Sequence, residues 1–171
     1  VLAGLHAPAT AQTKALMSEF SNSRILIMDV DSEAVLGSVF IPGVVSICFG
    51  DCAITKDQTL GFVTDFNNQL WVIDLQTNAL AAGTNQIPIS TPGEDVEITK
   101  DGKYAVICDG SLPAPLSIVD IETRTEINTF GVGAFGCNSV DVAEDGTLLV
   151  TEVTFDTVRK FSIDGAGNVT D

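Results

Sequence analysis

Hydrophobic positions along the chain alternate with polar ones in runs of five to eight residues, bounded by short polar turns, which predicts strands rather than helices. The runs recur in a fixed order. Three segments carry an apolar run, a tight turn with Asp, and a second apolar run: CAITKDQTLGFVTD (52–65), VEITKDGKYAVICD (96–109) and VDVAEDGTLLVTE (140–152). Their turn residues Asp57, Asp101 and Asp145 lie 44 residues apart (101 − 57 and 145 − 101). Asp-Gly, or once Asp-Gln, between two such runs predicts a hairpin, because the turn needs residues that tolerate positive φ.

A second module follows each hairpin, as QLWVIDLQTN (69–78), LSIVDIETR (116–124) and, more weakly, VRKFSIDG (158–165); an earlier copy reads RILIMDVDSEAV (24–35). Each predicts a strand, a polar turn and an outer strand. Four strands per unit of ~44 residues is the signature of a β-propeller blade. The stretches ITKDGKYAVICDG (98–110), LSIVDIETRTEINTF (116–130) and LWVIDLQTNAL (70–80) resemble the YVTN-type repeats of seven-bladed propellers. The resemblance covers roughly residues 24–171 and implies the fold. It leaves function open, because such propellers include lactonase-like enzymes, surface proteins and redox-enzyme domains. This chain departs from the family where a small polar pair usually closes the second strand. Here those pairs are Thr64-Asp65, Cys108-Asp109 and Thr151-Glu152.

The expected architecture is therefore all-β: about three and a half four-stranded blades of a larger, six- to eight-bladed propeller. Residues 24–45 form a half blade, and fuller blades occupy 50–90, 94–131 and 138–171. Residues 1–23 read as an N-terminal arm with a short helix over 9–20 that places Leu16, Met17 and Phe20 on the propeller. Such an arc leaves blade faces and strand edges uncovered. Remaining blades of a longer chain, or a second copy, are expected to complete it.

Composition narrows the partners. Among 171 residues, 23 Asp+Glu against eight Lys+Arg give a formal net charge of −15. Such a surface repels nucleic-acid phosphates and anionic lipid heads. No apolar run reaches the ~18 residues of a membrane span. The opening VLAGLHAPATAQ reads as the remnant of an export segment, an apolar stretch followed by small residues, which predicts a secreted, extracellular or periplasmic protein. The four cysteines fit two disulfides in that setting, Cys108 with Cys137 and Cys48 with Cys52. Free structural thiols are the alternative.

Candidate chemistry concentrates on one face of the propeller, where loops enter the innermost strands and leave the second strands. Asp51, Glu94 and Asp95 fall at the start of innermost strands, Glu97 and Asp141 further along them, and Asp65, Asp109 and Glu152 at the ends of second strands. Hard oxygen donors at recurring positions suit calcium, and Asp51, Asp65, Asp95, Asp109, Asp141 and Glu152 are the candidate ligands. The competing view is that so acidic a chain places carboxylates in every loop. His6 is the single histidine and lies in the arm, which leaves no Ser-His or Cys-His nucleophile system in the repeats. Trp71 and Phe62 are expected in the core. The expected function is a non-enzymatic binding or scaffold propeller that presents an acidic loop face to a protein partner or a cation. The alternative is a lactonase-like, metal-assisted hydrolase whose site is completed by further blades.

Overall fold

A computed structural model of the chain describes residues 13–19, 22–43, 49–110, 115–132, 136–152 and 157–171. These residues form four antiparallel sheets, each read outward from the propeller axis, and no helix occurs among them. Blade 1 comprises β1 (Lys14–Glu19), β2 (Arg24–Asp29) and β3 (Ala34–Phe40). Blade 2 comprises β4 (Phe49–Ile54), β5 (Leu60–Asp65), β6 (Gln69–Asp74) and an outer strand in two pieces, β7 (Ala79–Leu80) and β8 (Gln86–Pro88), both paired with β6. Blade 3 holds β9 (Asp95–Ile98), β10 (Tyr104–Cys108), β11 (Pro115–Asp120) and β12 (Thr125–Gly131). Blade 4 holds β13 (Cys137–Val142), β14 (Thr147–Glu152), β15 (Thr157–Ile163) and β16 (Val169–Thr170). The chain forms a partial β-propeller, as the repeat predicts.

The arm departs from expectation. Residues 14–19 form β1, paired with β2 along its whole length, in place of the short helix expected over 9–20. Ala15, Leu16 and Met17 favour a helix locally, but an isolated helix of that length is unstable. Strand pairing satisfies the same backbone groups and buries Leu16 while Met17 stays exposed. Lys14 faces Asp29 as Leu60 faces Asp74, so β1 corresponds to β5, a second strand. Blade 1 thus has its second to fourth strands among the described residues. Phe20 lies outside them.

Repeated turn chemistry explains why the strands stop where they do. Asp57 Oδ1 accepts hydrogen bonds from Thr55 Oγ1 (2.7 Å) and the Thr59 N–H (3.0 Å). Asp101 accepts from Thr99 Oγ1 and the Lys103 N–H, and Asp145 from the Thr147 N–H. The next residue in each turn, Gln58, Gly102 or Gly146, has positive φ. The turns between third and fourth strands repeat the device with Asp29, Asp74, Asp120 and Asp164, each accepting backbone N–H groups two to four residues on.

Three cores lie between the four blades. Blades 1 and 2 enclose Leu16, Ile25, Ile27, Val63, Trp71 and Ile73. Blades 2 and 3 enclose Phe62, Val72, Ile87, Ala105, Ile107 and Val119. Blades 3 and 4 enclose Val106, Cys108, Leu116, Cys137, Val150 and Phe161. Successive residues of β5, β6, β10 and β11 therefore serve opposite cores, which is why those runs are apolar at nearly every position. Each fully buried large side chain contributes roughly 1.5–3 kcal/mol. The two outward faces of the arc differ: blade 1 shows Met17 and Val35, blade 4 shows Leu149 and Val158 beside Thr151 and Lys160.

Candidate functional site: the channel-side carboxylates

The innermost strands place acids at the same height in successive blades. Asp51 on β4, Asp95 on β9 and Ser139 on β13 are 44 residues apart (95 − 51 and 139 − 95) and touch in series. The Asp51 carboxyl lies against the Asp95 carboxyl. Asp95 Oδ2 in turn accepts from Ser139 Oγ at 2.6 Å and from the Val140 N–H at 2.8 Å, while its Oδ1 takes the Val96 N–H at 2.9 Å. A chain of polar contacts so crosses three blades.

Local packing forces this closeness. The Asp51 N–H donates to Thr64 Oγ1 (2.9 Å), which returns a bond to the Asp51 carbonyl (3.2 Å). A Cβ on Gly50 would stand 1.9 Å from the Gly93 carbonyl oxygen, and one on Gly93 would stand 2.4 Å from Thr64 Cβ. Only glycine lets the two inner strands meet here. Sequence reasoning gave no role to Gly50 or Gly93 and read Thr64 only as part of a strand-closing pair, although a glycine just before the acidic start of two innermost strands, 43 residues apart (93 − 50), was the available signal.

A carboxyl set against another is disfavoured in its charged form. Burial of its carboxyl, followed by the hydrogen bond to Asp95 and the charge of Asp95, pushes Asp51 up to about 6. Glu97 is raised as well, first by burial and then by Asp95, Asp141 and Asp51. Asp51, Asp95, Glu97 and Asp141 thus form one repelling group on the channel side. A cation arriving there relieves that repulsion.

The acids at the second-strand ends are engaged otherwise. Asp65 is 1% exposed. Its Oδ1 accepts the N–H groups of Asn67 (2.8 Å) and Gln69 (3.0 Å), and its Oδ2 the Trp71 indole N–H (2.8 Å). Asp109 is buried and accepts from Thr91 Oγ1 at 3.4 Å. Glu152 accepts from Thr157 Oγ1 and pairs with Arg159 at 3.7 Å. Glu94 caps the loop opposite, its Oε2 taking the Gly110 N–H at 3.1 Å. The six residues expected as calcium ligands are accordingly split: Asp51, Asp95 and Asp141 belong to the channel group, while Asp65 is held by its own turn and Trp71, Asp109 takes a bond from Thr91, and Glu152 is held by Thr157 and Arg159. Among the described residues no three His, Cys, Asp or Glu side chains are placed to hold one metal ion.

Cys52, Cys108 and Cys137 stand as thiols, and Cys48 lies outside the described residues. Cys52 Sγ donates to the Leu16 carbonyl at 3.3 Å; burial, followed by the charge of Asp51, pushes its thiol up to about 11. Cys108 and Cys137 are buried together in the core between blades 3 and 4, where Cys137 Sγ donates to the Ser139 carbonyl at 3.9 Å.

No protein-family model matches the sequence, and no curated protein does either. Solved structures do match in fold. A functionally unknown protein from Desulfotomaculum acetoxidans superposes with a TM-score of 0.80 at 24% identity, over 92% of this chain and 49% of its own. Hydrazine synthase from Kuenenia stuttgartiensis gives 0.76 at 19%, over 92% and 45%. The WD40 β-propeller domain of Doa1 gives 0.69 at 15%, over 94% and 50%. The chain thus spans about half the length of the structures it resembles, and at these identities the likeness establishes a β-propeller fold.

Proposed function

We propose that this chain is part of an exported, non-enzymatic binding propeller of YVTN type whose channel-side carboxylates receive a cationic partner, a basic segment of another protein. The observation that carries the reading is the contact between Asp51 and Asp95, with Glu97 raised by the same neighbours. Carboxylates held against each other by backbone packing, with no Lys or Arg ion pair to Asp51, Asp95, Glu97 or Asp141 among the described residues, are a standing demand for positive charge. An extended chain of Lys and Arg meets acids spread over three blades better than one calcium ion, which needs six or more oxygens converging within a few ångströms. Further blades, or a second copy, complete the ring and cover the outward faces of blades 1 and 4. A metal-assisted, lactonase-like reading lacks a converging ligand set among the described residues.

Titration calorimetry with a short oligolysine probe tests the proposal. Binding at pH 7 is expected to weaken with added salt and to fall about tenfold in Asp95→Asn with Glu97→Gln. It should also weaken below pH 6, as Asp51 gains its proton. Affinity unchanged in the double variant would assign the binding to general surface charge and defeat the reading. A calcium-specific rise in melting temperature against ionic-strength-matched sodium would instead favour a metal ion.

A further inference from the structure

We propose that Cys108 and Cys137 form a disulfide that joins blade 3 to blade 4 and is closed while the chain folds. Cys108 is the last residue of β10 and Cys137 the first of β13, so the pair sits where one blade hands over to the next. Both side chains are fully buried in one core, among Val106, Leu116 and Val150. The backbones are tied at the same point: the Cys137 N–H donates to the Asp109 carbonyl at 3.0 Å, and the Glu94 N–H to the Cys108 carbonyl at 2.9 Å. The bond from Cys137 to the residue after Cys108, with both side chains entering the same core, brings the two strands together at the point where a disulfide needs short Cα separation. Cys137 Sγ has only a weak bond to hold it elsewhere, to the Ser139 carbonyl at 3.9 Å. Cys52, by contrast, belongs to the core between blades 1 and 2 and is bonded to Leu16.

Other roles for the pair fail on the same observations. Among the described residues no third ligand is placed to complete a metal site. A nucleophile needs an accessible thiolate, whereas the Cys108 thiol is pushed up by its bond to Cys137, by burial and by the charges of Asp95 and Glu94. A thiol pair so sealed gains stability only by joining.

The chemistry balances with a small-molecule disulfide as oxidant. One thiolate attacks a sulfur of the oxidant, expels the first small thiolate and leaves a mixed disulfide. The second cysteine, deprotonated, attacks its own partner's sulfur and expels the second small thiolate. The two protons lost by the cysteines end on the two small thiols, and the two electrons reduce the oxidant. Because both sulfurs are buried in the folded chain, the exchange belongs to folding, before blade 4 seats on blade 3. Afterwards the bond is shielded from reductant.

Refolding tests this on the intact chain. Protein unfolded and reduced is refolded in a glutathione redox buffer or in excess reductant, then digested without reduction and mapped by mass spectrometry. Expected in the redox buffer is a linked peptide joining residues 108 and 137, lighter by two hydrogens than the separate peptides. The oxidised protein should melt about 10 °C above the reduced one, since the bond closes a loop of 29 residues (137 − 108). The bond should survive reductant added to the folded protein and break once denaturant is present. Recovery of both cysteines as free thiols, linkage of either to Cys48 or Cys52, or equal melts of the two forms would each overturn the proposal. The comparison needs no variant; Cys108→Ala with Cys137→Ala should abolish the difference between the two buffers.

Discussion

Asp65, at the end of β5, receives three hydrogen bonds, two from the backbone of its own turn and one from the Trp71 indole; Asp51, one strand nearer the axis on the same loop face, is in contact with another carboxyl. Both are aspartates in blade 2, and both recur in blade 3 at the matching position, as Asp109 and Asp95. The difference lies in what the fold points at them. The turn following β5 aims N–H donors at Asp65, and the carboxylate there replaces water that the buried backbone has lost. On the innermost strands the Asp51 N–H goes to Thr64 and the Asp51 carboxyl receives the next blade's acid alongside, while Asp95 takes its donors from Val96 and from Ser139 and Val140 of blade 4. The first group of acids is closed off by its donors, and the second, though Asp95 also links blade 3 to blade 4, keeps like charges together on the channel side.

The largest expected effect comes from Asp65. Asp65→Ala leaves three donors without their acceptor, one of them the buried indole, and should cost about 3–5 kcal/mol. Urea unfolding should show a lower midpoint with an unchanged slope. A loss below about 1 kcal/mol would mean that Asp65 is solvated, and the distinction between the two groups would collapse.

Asp51 should respond with the opposite sign. Its pKa in the folded chain, about 6, lies above the ordinary 3.8, so between those values the folded protein binds more protons than the unfolded one. Stability therefore falls as pH rises from about 4 through 6, and stays lower at pH 7. Because Asp51 remains partly open to solvent, the penalty is on the order of 1 kcal/mol. Asp51→Asn should raise the melting temperature at pH 7 and leave it nearly unchanged at pH 4. The turn acids Asp57 and Asp101 are held below the ordinary carboxylate value, Asp57 first by the Thr55 hydroxyl and Asp101 by Thr99 and Lys103 against the effect of burial. Their share is lost as pH falls through those lowered values. Together the two limbs place maximum stability between about pH 4 and 5, and a melt series across pH 2–8 with both Asp51→Asn and the parent chain separates them.

A smaller loss is expected from Asp101→Ala, which removes the acceptor for Thr99 and Lys103 on an exposed turn: about 0.5–1.5 kcal/mol. Calorimetry at pH 7 checks it beside Asp65→Ala.

How much of this could be read in the sequence follows from the range of the forces. The hairpin turns were legible because Asp57, Asp101 and Asp145 act on residues two positions away, and positive φ restricts what can follow them. Trp71 and Phe62 were legible as core because runs apolar on both faces suit strands between two blades. β1 was not, since its Ala-Leu-Met favours a helix and only pairing with β2 overrides that. Nor was the division among the acids. Asp65 and Asp51 look alike until Trp71 and Asp95, brought up by the fold, supply a donor to one and a like charge to the other.

The turn of blade 2 permits the finest test. Gln58 stands at φ 57° where blades 3 and 4 have Gly102 and Gly146. A side chain in that region costs about 1–2 kcal/mol relative to glycine. Gln58 Oε1 accepts the Lys14 N–H at 2.8 Å, which ties β1 of blade 1 to the turn of blade 2, a contribution of about 1 kcal/mol. The two terms nearly cancel, so Gln58→Gly should change stability by less than about 1 kcal/mol while amide exchange at Lys14 accelerates. Gln58→Ala keeps the backbone strain and loses the bond, and should be the less stable variant by roughly 1 kcal/mol. Glycine and alanine variants of equal stability would show that φ at this turn carries no strain. Unchanged exchange at Lys14 would remove the tether. Either result would make the turn acids and their glycines the whole of what sets this face apart from the channel.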